Sequence, residues 1–199
     1  MTRLAMAIDL DRCNGCNACV IACKVEHSAP NGILLTTILE KEVGRYPHAN
    51  RQFYPVLCNH CEEPPCVPVC PTVATYKRAD GIVMIDDERC IGCGACIVAC
   101  PYDQRFYVGD DRTCFPDGAG EYVNPHAHKA PQGVPVKCDF CFHRVDEGRE
   151  PACVEACPTE ARIFGPLDAG DKPLNALISR RNSFTLLPDK GTSPNVYYF

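Results

Sequence analysis

Short apolar runs that end on acidic turns recur along the chain. "AMAIDLDRC" opens at residue 5 and "GIVMIDDERC" at residue 81, and each predicts a short strand followed by an acidic turn. The repeat extends further, because 5–25 aligns as a whole with 81–102. "CPTVATYKRADGIVMID" predicts a hairpin, with strands near 74–77 and 82–85 around Ala79-Asp80-Gly81. "CPTEARIF" at 157–164 repeats the start of that pattern. Further on, Asp171 is placed to cap a short helix with Leu174, Leu177 and Ile178 on one face. "GTSPNVYYF" reads as extended, packing along a partner or the domain edge. The most apolar stretch, "ILLTTILE" at 33–40, is short and carries two threonines. Nothing approaches the ~20 apolar residues that span a bilayer.

Composition changes this picture in one respect. The 199 residues suffice for one domain or two small ones, and 18 prolines imply many turns. With 20 Lys plus Arg against 25 Asp plus Glu, the formal charge is −5, which argues against a nucleic-acid footprint. The N-terminal "MTRLAMAIDLDRC" is interrupted by Asp9 and Asp11 and does not read as a signal peptide. The one Arg-Arg pair, Arg180-Arg181, is too late to be a twin-arginine leader. Cysteine is the exception, with 17 copies. A disulfide scaffold, a zinc protein and an iron–sulfur protein are the readings to separate.

Sixteen of the 17 cysteines fall into four groups. Group one is Cys13, Cys16, Cys19 and Cys23; group two is Cys58, Cys61, Cys66 and Cys70, with "EEPP" in its middle gap. Group three is Cys90, Cys93, Cys96 and Cys100; group four is Cys138, Cys141, Cys153 and Cys157, with 11 residues in its middle gap. Pro71, Pro101 and Pro158 follow the last cysteine of groups two to four, where group one has Lys24.

The run C-x2-C-x2-C-x3-C-P is that of bacterial ferredoxins, and its physical logic is specific. Three closely spaced thiolates wrap one cubane, while the fourth sits on the following turn and ligates the other cluster of a pair. Gly15, Ala18, Gly92, Gly94 and Ala95 are small enough to let backbone amides approach the sulfurs, and Val20-Ile21 and Ile97-Val98 seal the cluster from water. Zinc fits less well, since three cysteines within seven residues are too dense for one tetrahedral ion. A disulfide framework must explain an odd count and poorly placed neighbours. An open-iron radical site needs a C-x3-C-x2-C triad, which is missing. Four fully ligated 4Fe–4S clusters are the expectation.

Cys114, the seventeenth cysteine, reads as an ordinary loop residue rather than a redox-active thiol. His126 and His128 in the same loop read as solvated. His60 and His143 lie beside cluster ligands and either tune potentials by hydrogen bonding or sit at the surface.

Groups two and three are 20 residues apart, the usual gap inside one ferredoxin unit, which leaves groups one and four to pair across the chain. The expected fold is α+β, with two ferredoxin-like units each holding a pair of clusters, the second inserted into the first. Residues 1–54 and 138–165 form the first unit, and 55–109 the second. Residues 110–137 are a loop insertion, and 166–199 a C-terminal tail that packs on a partner. Cross-ligation then gives Cys13, Cys16, Cys19 with Cys157, and Cys138, Cys141, Cys153 with Cys23. The second unit gives Cys58, Cys61, Cys66 with Cys100, and Cys90, Cys93, Cys96 with Cys70. A chain this size is ~40 Å across, which sets the clusters on the order of 10 Å apart and suits electron hopping.

With these groups identified, the chain resembles the iron–sulfur subunit of molybdopterin oxidoreductases of the dimethyl-sulfoxide reductase superfamily, nearest the polysulfide, thiosulfate and arsenate reductase type. The resemblance rests on "MAIDLDRCNGCNACVIACKVEH", "CNHCEEPPCVPVCPT", "DDERCIGCGACIVACPYD", "KCDFCFHR", "PACVEACPTEARIFG" and "GTSPNVYY". Some relatives replace a group-three cysteine and hold a 3Fe–4S cluster, but Cys90, Cys93 and Cys96 are all present here. Others carry a C-terminal membrane anchor, for which this sequence has no segment. The resemblance implies a large catalytic partner with molybdenum or tungsten on a pterin, and in many members a membrane quinone subunit. It implies that the Cys13 cubane faces the catalytic partner and the Cys90 cubane the distal acceptor, with the Cys138 and Cys58 cubanes between them. It also implies periplasmic residence by export with that partner, against a cytoplasmic alternative. The competing functions are an independent soluble polyferredoxin and a substrate-converting iron–sulfur enzyme.

Overall fold

The computed structural model describes residues 3–110, 112, 131–168 and 174–199. Its elements in chain order are β1 (Leu4–Ile8), α1 (Ala18–Glu26), β2 (Thr36–Val43), β3 (Asn50–Leu57), β4 (Thr75–Lys77), β5 (Val83–Ile85), α2 (Ala95–Val98), β6 (Phe106–Tyr107), β7 (Pro135–Val136), α3 (Phe142–Val145), α4 (Ala152–Glu155), β8 (Arg162–Pro166), α5 (Leu174–Arg180) and β9 (Val196–Tyr198). Among the described residues no helix is long and apolar enough to cross a membrane.

β1 is the centre of a three-stranded sheet, antiparallel to β8 and parallel to β9. A strand covered on both faces reads as a continuous apolar run, and "AMAI" has no exposed residue. Ala5 and Ala7 turn to Leu167 and to Leu174 of α5, with Leu177 and Ile178 packed alongside. Met6 and Ile8 point the other way, into a core shared with Val20, Leu57, Phe140 and the buried cysteines. The helix expected from Leu174 onward is therefore present; its proposed cap, Asp171, lies outside the described residues.

The hairpin expected around Asp80 forms as β4 and β5, in the register Thr75↔Ile85 to Lys77↔Val83. Asp80 closes the turn by accepting the Ile82 amide at 3.1 Å, and Gly81 supplies φ +88°. The acidic turns of the internal repeat share one geometry. Asp9 Oδ1 accepts the amides of Asp11 and Arg12, and Asp86 Oδ1 accepts those of Glu88 and Arg89.

One feature was not anticipated, and another takes the domain-edge alternative that the sequence left open beside a partner. β2 and β3 form an eight-residue-per-strand hairpin from "TTILEKEV" onward, buried at its root by Thr36, Val56 and Leu57 and exposed at its tip. The tail is the second. Its last strand, β9, is an edge strand of this chain's own sheet, with Val196 and Tyr198 fully buried and Tyr198 Oη donating to the Pro55 carbonyl at 2.9 Å.

Proline decides where the cluster helices end. It cannot donate an amide hydrogen bond, and α2 and α4 stop short of Pro101 and Pro158. Three residues after the last cysteine, Val73, Asp103 and Glu160 adopt left-handed φ of 55°, 53° and 50°. Group one has Lys24 instead, and α1 runs on to Glu26.

Candidate metal centres

Each of the four loops makes the same first turn. The residue two places after the first cysteine is left-handed in all of them: Gly15 (φ 73°), His60 (43°), Gly92 (70°) and Phe140 (56°). The turn aims an amide back at a sulfur. The N–H groups of Gly15, Gly92 and Phe140 donate to Cys13, Cys90 and Cys138. Glycine is required twice over in groups one and three. A Cβ on Gly15 would collide with the Phe53 ring, and one on Gly92 with the Gly133 carbonyl oxygen.

The cysteines come together as three plus one. Cys13, Cys16, Cys19 and Cys157 line a single cavity with Arg162. Burial raises the Cys13 thiol, and the charges of Cys19 and Cys157 add to it, against the Gly15 amide. Cys23, from the same group, lies elsewhere. Burial pushes it well up, followed by the charges of Cys138, Cys153 and Cys141. Cys61 is pushed up to about 12, first by burial and then by Cys58, Cys66 and Cys100. Cys90 is raised by burial and by Cys96, Cys70 and Cys93. Such thiols are protonated in the metal-free chain, so binding an electron-poor metal centre releases protons and couples ligation to pH.

Two of the four last cysteines, Cys70 and Cys157, sit in nests of donors. At Cys70 burial opposes the thiolate, but the amides of Thr75, Thr72 and Ala74 and the Thr72 hydroxyl bring the group to about 7. Cys157 is lowered in the same way, against burial, by the Thr159 hydroxyl and the amides of Ala161, Arg162 and Thr159. The left-handed Val73 and Glu160 turn these amides back toward the sulfur.

Buried cations test whether the donor set suits an anionic cluster. Arg105, Lys137 and Arg162 are 4%, 6% and 3% exposed. Among the described residues no carboxylate forms an ion pair with any of the three. Arg105 Nη2 instead donates to Cys66 Sγ at 3.0 Å. Lys137 Nζ donates to the Cys138 carbonyl at 2.8 Å and to that of Val83. A buried unpaired guanidinium is strongly unfavourable. Negative charge among the cysteines removes that penalty, so the residues present fit iron–sulfur clusters.

A model of the 4Fe-4S dicluster domain matches residues 49–115 and 122–167, and one of the 4Fe-4S binding domain matches 6–26. The chain belongs to the 4Fe-4S dicluster family. Similarity to curated members runs along its whole length. It is 42% identical over 212 residues to the iron-sulfur subunit of a putative dimethyl sulfoxide reductase of Halobacterium salinarum, covering 100% of this chain and 79% of that protein. It is 42% identical to a tetrathionate reductase subunit of Salmonella typhimurium, covering 98% and 72%. It is 35% identical to the arsenate respiratory reductase iron-sulfur subunit of a Shewanella strain, covering 98% and 95%.

Within this chain the histidine expectations divide. His60 is fully buried, so the surface reading fails for it; its Nδ1 accepts the Val83 amide at 3.1 Å. Burial, then the charges of Lys137 and Arg105, push its pKa well down and keep it neutral. His143 is half-buried and pairs with Glu26 at 2.8 Å. Glu26 also accepts from Arg144 at 2.9 Å, and Arg144 reaches Glu155, so α1 is tied to α3 and α4. Cys114, His126 and His128 lie outside the described residues.

The residues missed from sequence were the buried cations and the tail residues that hold the group-two loop. Arg105 and Arg162 each follow a final cysteine by five places, in "CPYDQR" and "CPTEAR", and that shared spacing was there to be read. In the tail, Asn195 Nδ2 donates to the His60 carbonyl at 2.7 Å, and the amides of Glu62 and Glu63 donate to the carbonyls of Ser193 and Thr192. The segment clasps the group-two loop.

Proposed function

We propose that this chain is the electron-transfer subunit of a molybdopterin oxidoreductase complex, holding four 4Fe–4S clusters and converting no substrate itself. The second ferredoxin-like unit, 55–109, is inserted into the first, formed by 1–54 and 138–165. The ligand sets are Cys13, Cys16, Cys19 with Cys157; Cys138, Cys141, Cys153 with Cys23; Cys58, Cys61, Cys66 with Cys100; and Cys90, Cys93, Cys96 with Cys70. The observation that carries this reading is the three-plus-one gathering, in which Cys23 leaves its own loop and lies among Cys138, Cys141 and Cys153. Bound clusters supply one-electron redox chemistry. The chain's part is to hold them in order, exclude water and balance their charge.

The order along the wire is the Cys13, Cys138, Cys58 and Cys90 centres. The charge of Cys58 is felt at Cys138, which supports adjacency of the two inner sites. Exposed Cys16 and Cys93 mark the two ends. The Cys13 end serves the pterin-bearing catalytic subunit. The Cys90 end, beside exposed Ile91 and Val98, serves a membrane quinone subunit or a soluble acceptor. Val98 and Ile21, expected to seal the clusters from water, are exposed instead, while Val20 is buried and Ile97 partly so. The relatives named as reductase subunits support a fixed complex over a free polyferredoxin. The compartment under this reading is the periplasm, entered together with the catalytic partner; cytoplasmic residence is the competing reading, and cell fractionation separates them.

Native size-exclusion with iron and sulfide assay tests the proposal. The expected result is co-elution with a pterin-containing subunit and about 16 iron per chain, four for each cluster. A chain that elutes alone with all its iron favours the polyferredoxin, and turnover by the isolated chain favours an enzyme.

A further inference from the structure

Each ferredoxin-like unit contains a buried arginine without a carboxylate partner among the described residues, and the two occupy equivalent places; Arg144, also buried, is paired with Glu26 and Glu155. Arg105 follows Cys100 by five residues, and Arg162 follows Cys157 by five. Each is anchored by a buried threonine hydroxyl. Arg105 Nη1 donates to Thr75 Oγ1 at 3.2 Å, and Arg162 Nη2 to Thr36 Oγ1 at 2.8 Å. Each then meets cysteines of two tetrads. Arg105 hydrogen-bonds Cys66 of group two, at 3.0 Å, and feels the charge of Cys96 of group three, which is buried in the same cluster as Cys66. Arg162 lines one cavity with Cys19 of group one, and the charge of Cys153 of group four is the first to act on it, followed by that of Cys19. These four residues are the third cysteines of the four groups.

We propose that Arg105 and Arg162 are charge bridges, each set between the two clusters of one pair and holding up the reduction potentials of both together. The inference rests on the ligand sets proposed above. Under them, Cys66 and Cys96 belong to the two different clusters of one unit, and Cys153 and Cys19 to those of the other. Added negative charge on either side of the guanidinium is stabilised by the same cation, close by and away from water. Reduction potentials follow net charge and hydrogen bonds to the sulfurs. An electron crossing from one side of the arginine to the other leaves that cation's stabilisation in place, with no bond made and no proton moved. A planar fork serves a sulfur and a hydroxyl at once, as Arg105 does with Cys66 and Thr75, which a single ammonium does less well.

The test is an EPR-monitored redox titration of the assembled complex, with iron and sulfide assay, for wild type, Arg105→Gln, Arg162→Gln and the two Arg→Lys variants. The wild-type iron content and number of transitions test the four-cluster reading by itself; comparison of the variants with wild type tests the arginines. Each Gln variant is expected to lower two of the four transitions, the two variants moving disjoint pairs, and Lys to recover most of the shift. The inference is overturned if either Gln variant shifts one transition only, if both shift the same transitions, if none moves, or if Lys falls as far as Gln. Should a Gln variant lose iron, the Lys variant decides. Full iron with potentials near wild type supports the bridge, and loss of the same clusters shows the arginine to be a packing residue.

Discussion

His60 and Phe140 stack with ring centroids 3.8 Å apart and planes 25° from parallel, and each is the left-handed second residue after the first cysteine of its tetrad. Gly15 and Gly92 hold the same position in the other two loops at little conformational cost. His60 and Phe140 adopt it against their Cβ, at about 1–2 kcal/mol each, and the stack joins the Cys58 and Cys138 loops. Phe140→Ala removes a fully buried ring, and a loss of about 3–5 kcal/mol is expected. Urea unfolding followed by cluster absorbance measures it; a change below about 1 kcal/mol would show that the stack is incidental.

Cys23→Ser separates the cross-ligated scheme from a local one. Signals of the Cys138, Cys141, Cys153 centre should be perturbed, while the Cys13, Cys16, Cys19 centre keeps its spectrum, because Cys23 lies among the former. EPR of the reduced variant distinguishes the two. An intact Cys138 centre beside a damaged Cys13 centre would falsify the assignment.

Gly92 and Gly94 offer a controlled comparison. Both have φ near +70°, so alanine strains either backbone by about 1 kcal/mol. Only at Gly92 does the new methyl also meet a backbone oxygen, that of Gly133; Gly94 has nothing within 4 Å. Gly92→Ala should therefore lose cluster iron faster on dilution than Gly94→Ala. Equal rates would mean that the approach of Gly133 is dispensable.

Asp146 joins the end of α3 to the β4–β5 turn through a two-pronged pair with Arg78, at 2.6 and 3.1 Å. The hydrogen bond to Arg78 lowers its pKa below 3.8, despite some burial. A lowered carboxyl contributes its full stability above the ordinary value and loses it as pH falls through the folded one. Asp146→Asn should therefore carry a deficit that is flat from about pH 5 to 8. Solvent exposure limits it to about 0.5 kcal/mol, shrinking in salt. Urea midpoints at several pH values and ionic strengths check this, and a deficit that grows toward pH 8 contradicts it.

The tail makes a prediction against its expected role as a partner-binding appendage. Tyr198→Ala should destabilise the isolated chain by about 3–5 kcal/mol, since the ring is fully buried and its hydroxyl is bonded to Pro55. Unfolding with the catalytic partner removed reads this directly. No change would return the tail to the partner surface.

The cysteine groups, the repeated strand and acidic turn, the hairpin at Asp80 and the helix from Leu174 were all legible in the sequence. Each is a local matter: thiol spacing, an Asx turn, a left-handed glycine or a 3.6-residue face is set by residues a few places apart. The extent of α1 was local too, since Lys24 in place of proline lets the helix continue. The β2–β3 hairpin, the docking of β9 against β1 and the clasp on the group-two loop were decided by tertiary structure. The same holds for the stacking of His60 on Phe140 and for the burial of Arg105, Lys137 and Arg162. Apart from the hairpin, whose own pairs are local, these depend on partners remote in sequence, such as Met6 with Val196 across β1 and β9, or Arg162 with Met6 at a separation of 156. A cation that reads as surface charge from its neighbours becomes an interior group only when thiolates from two distant loops close around it.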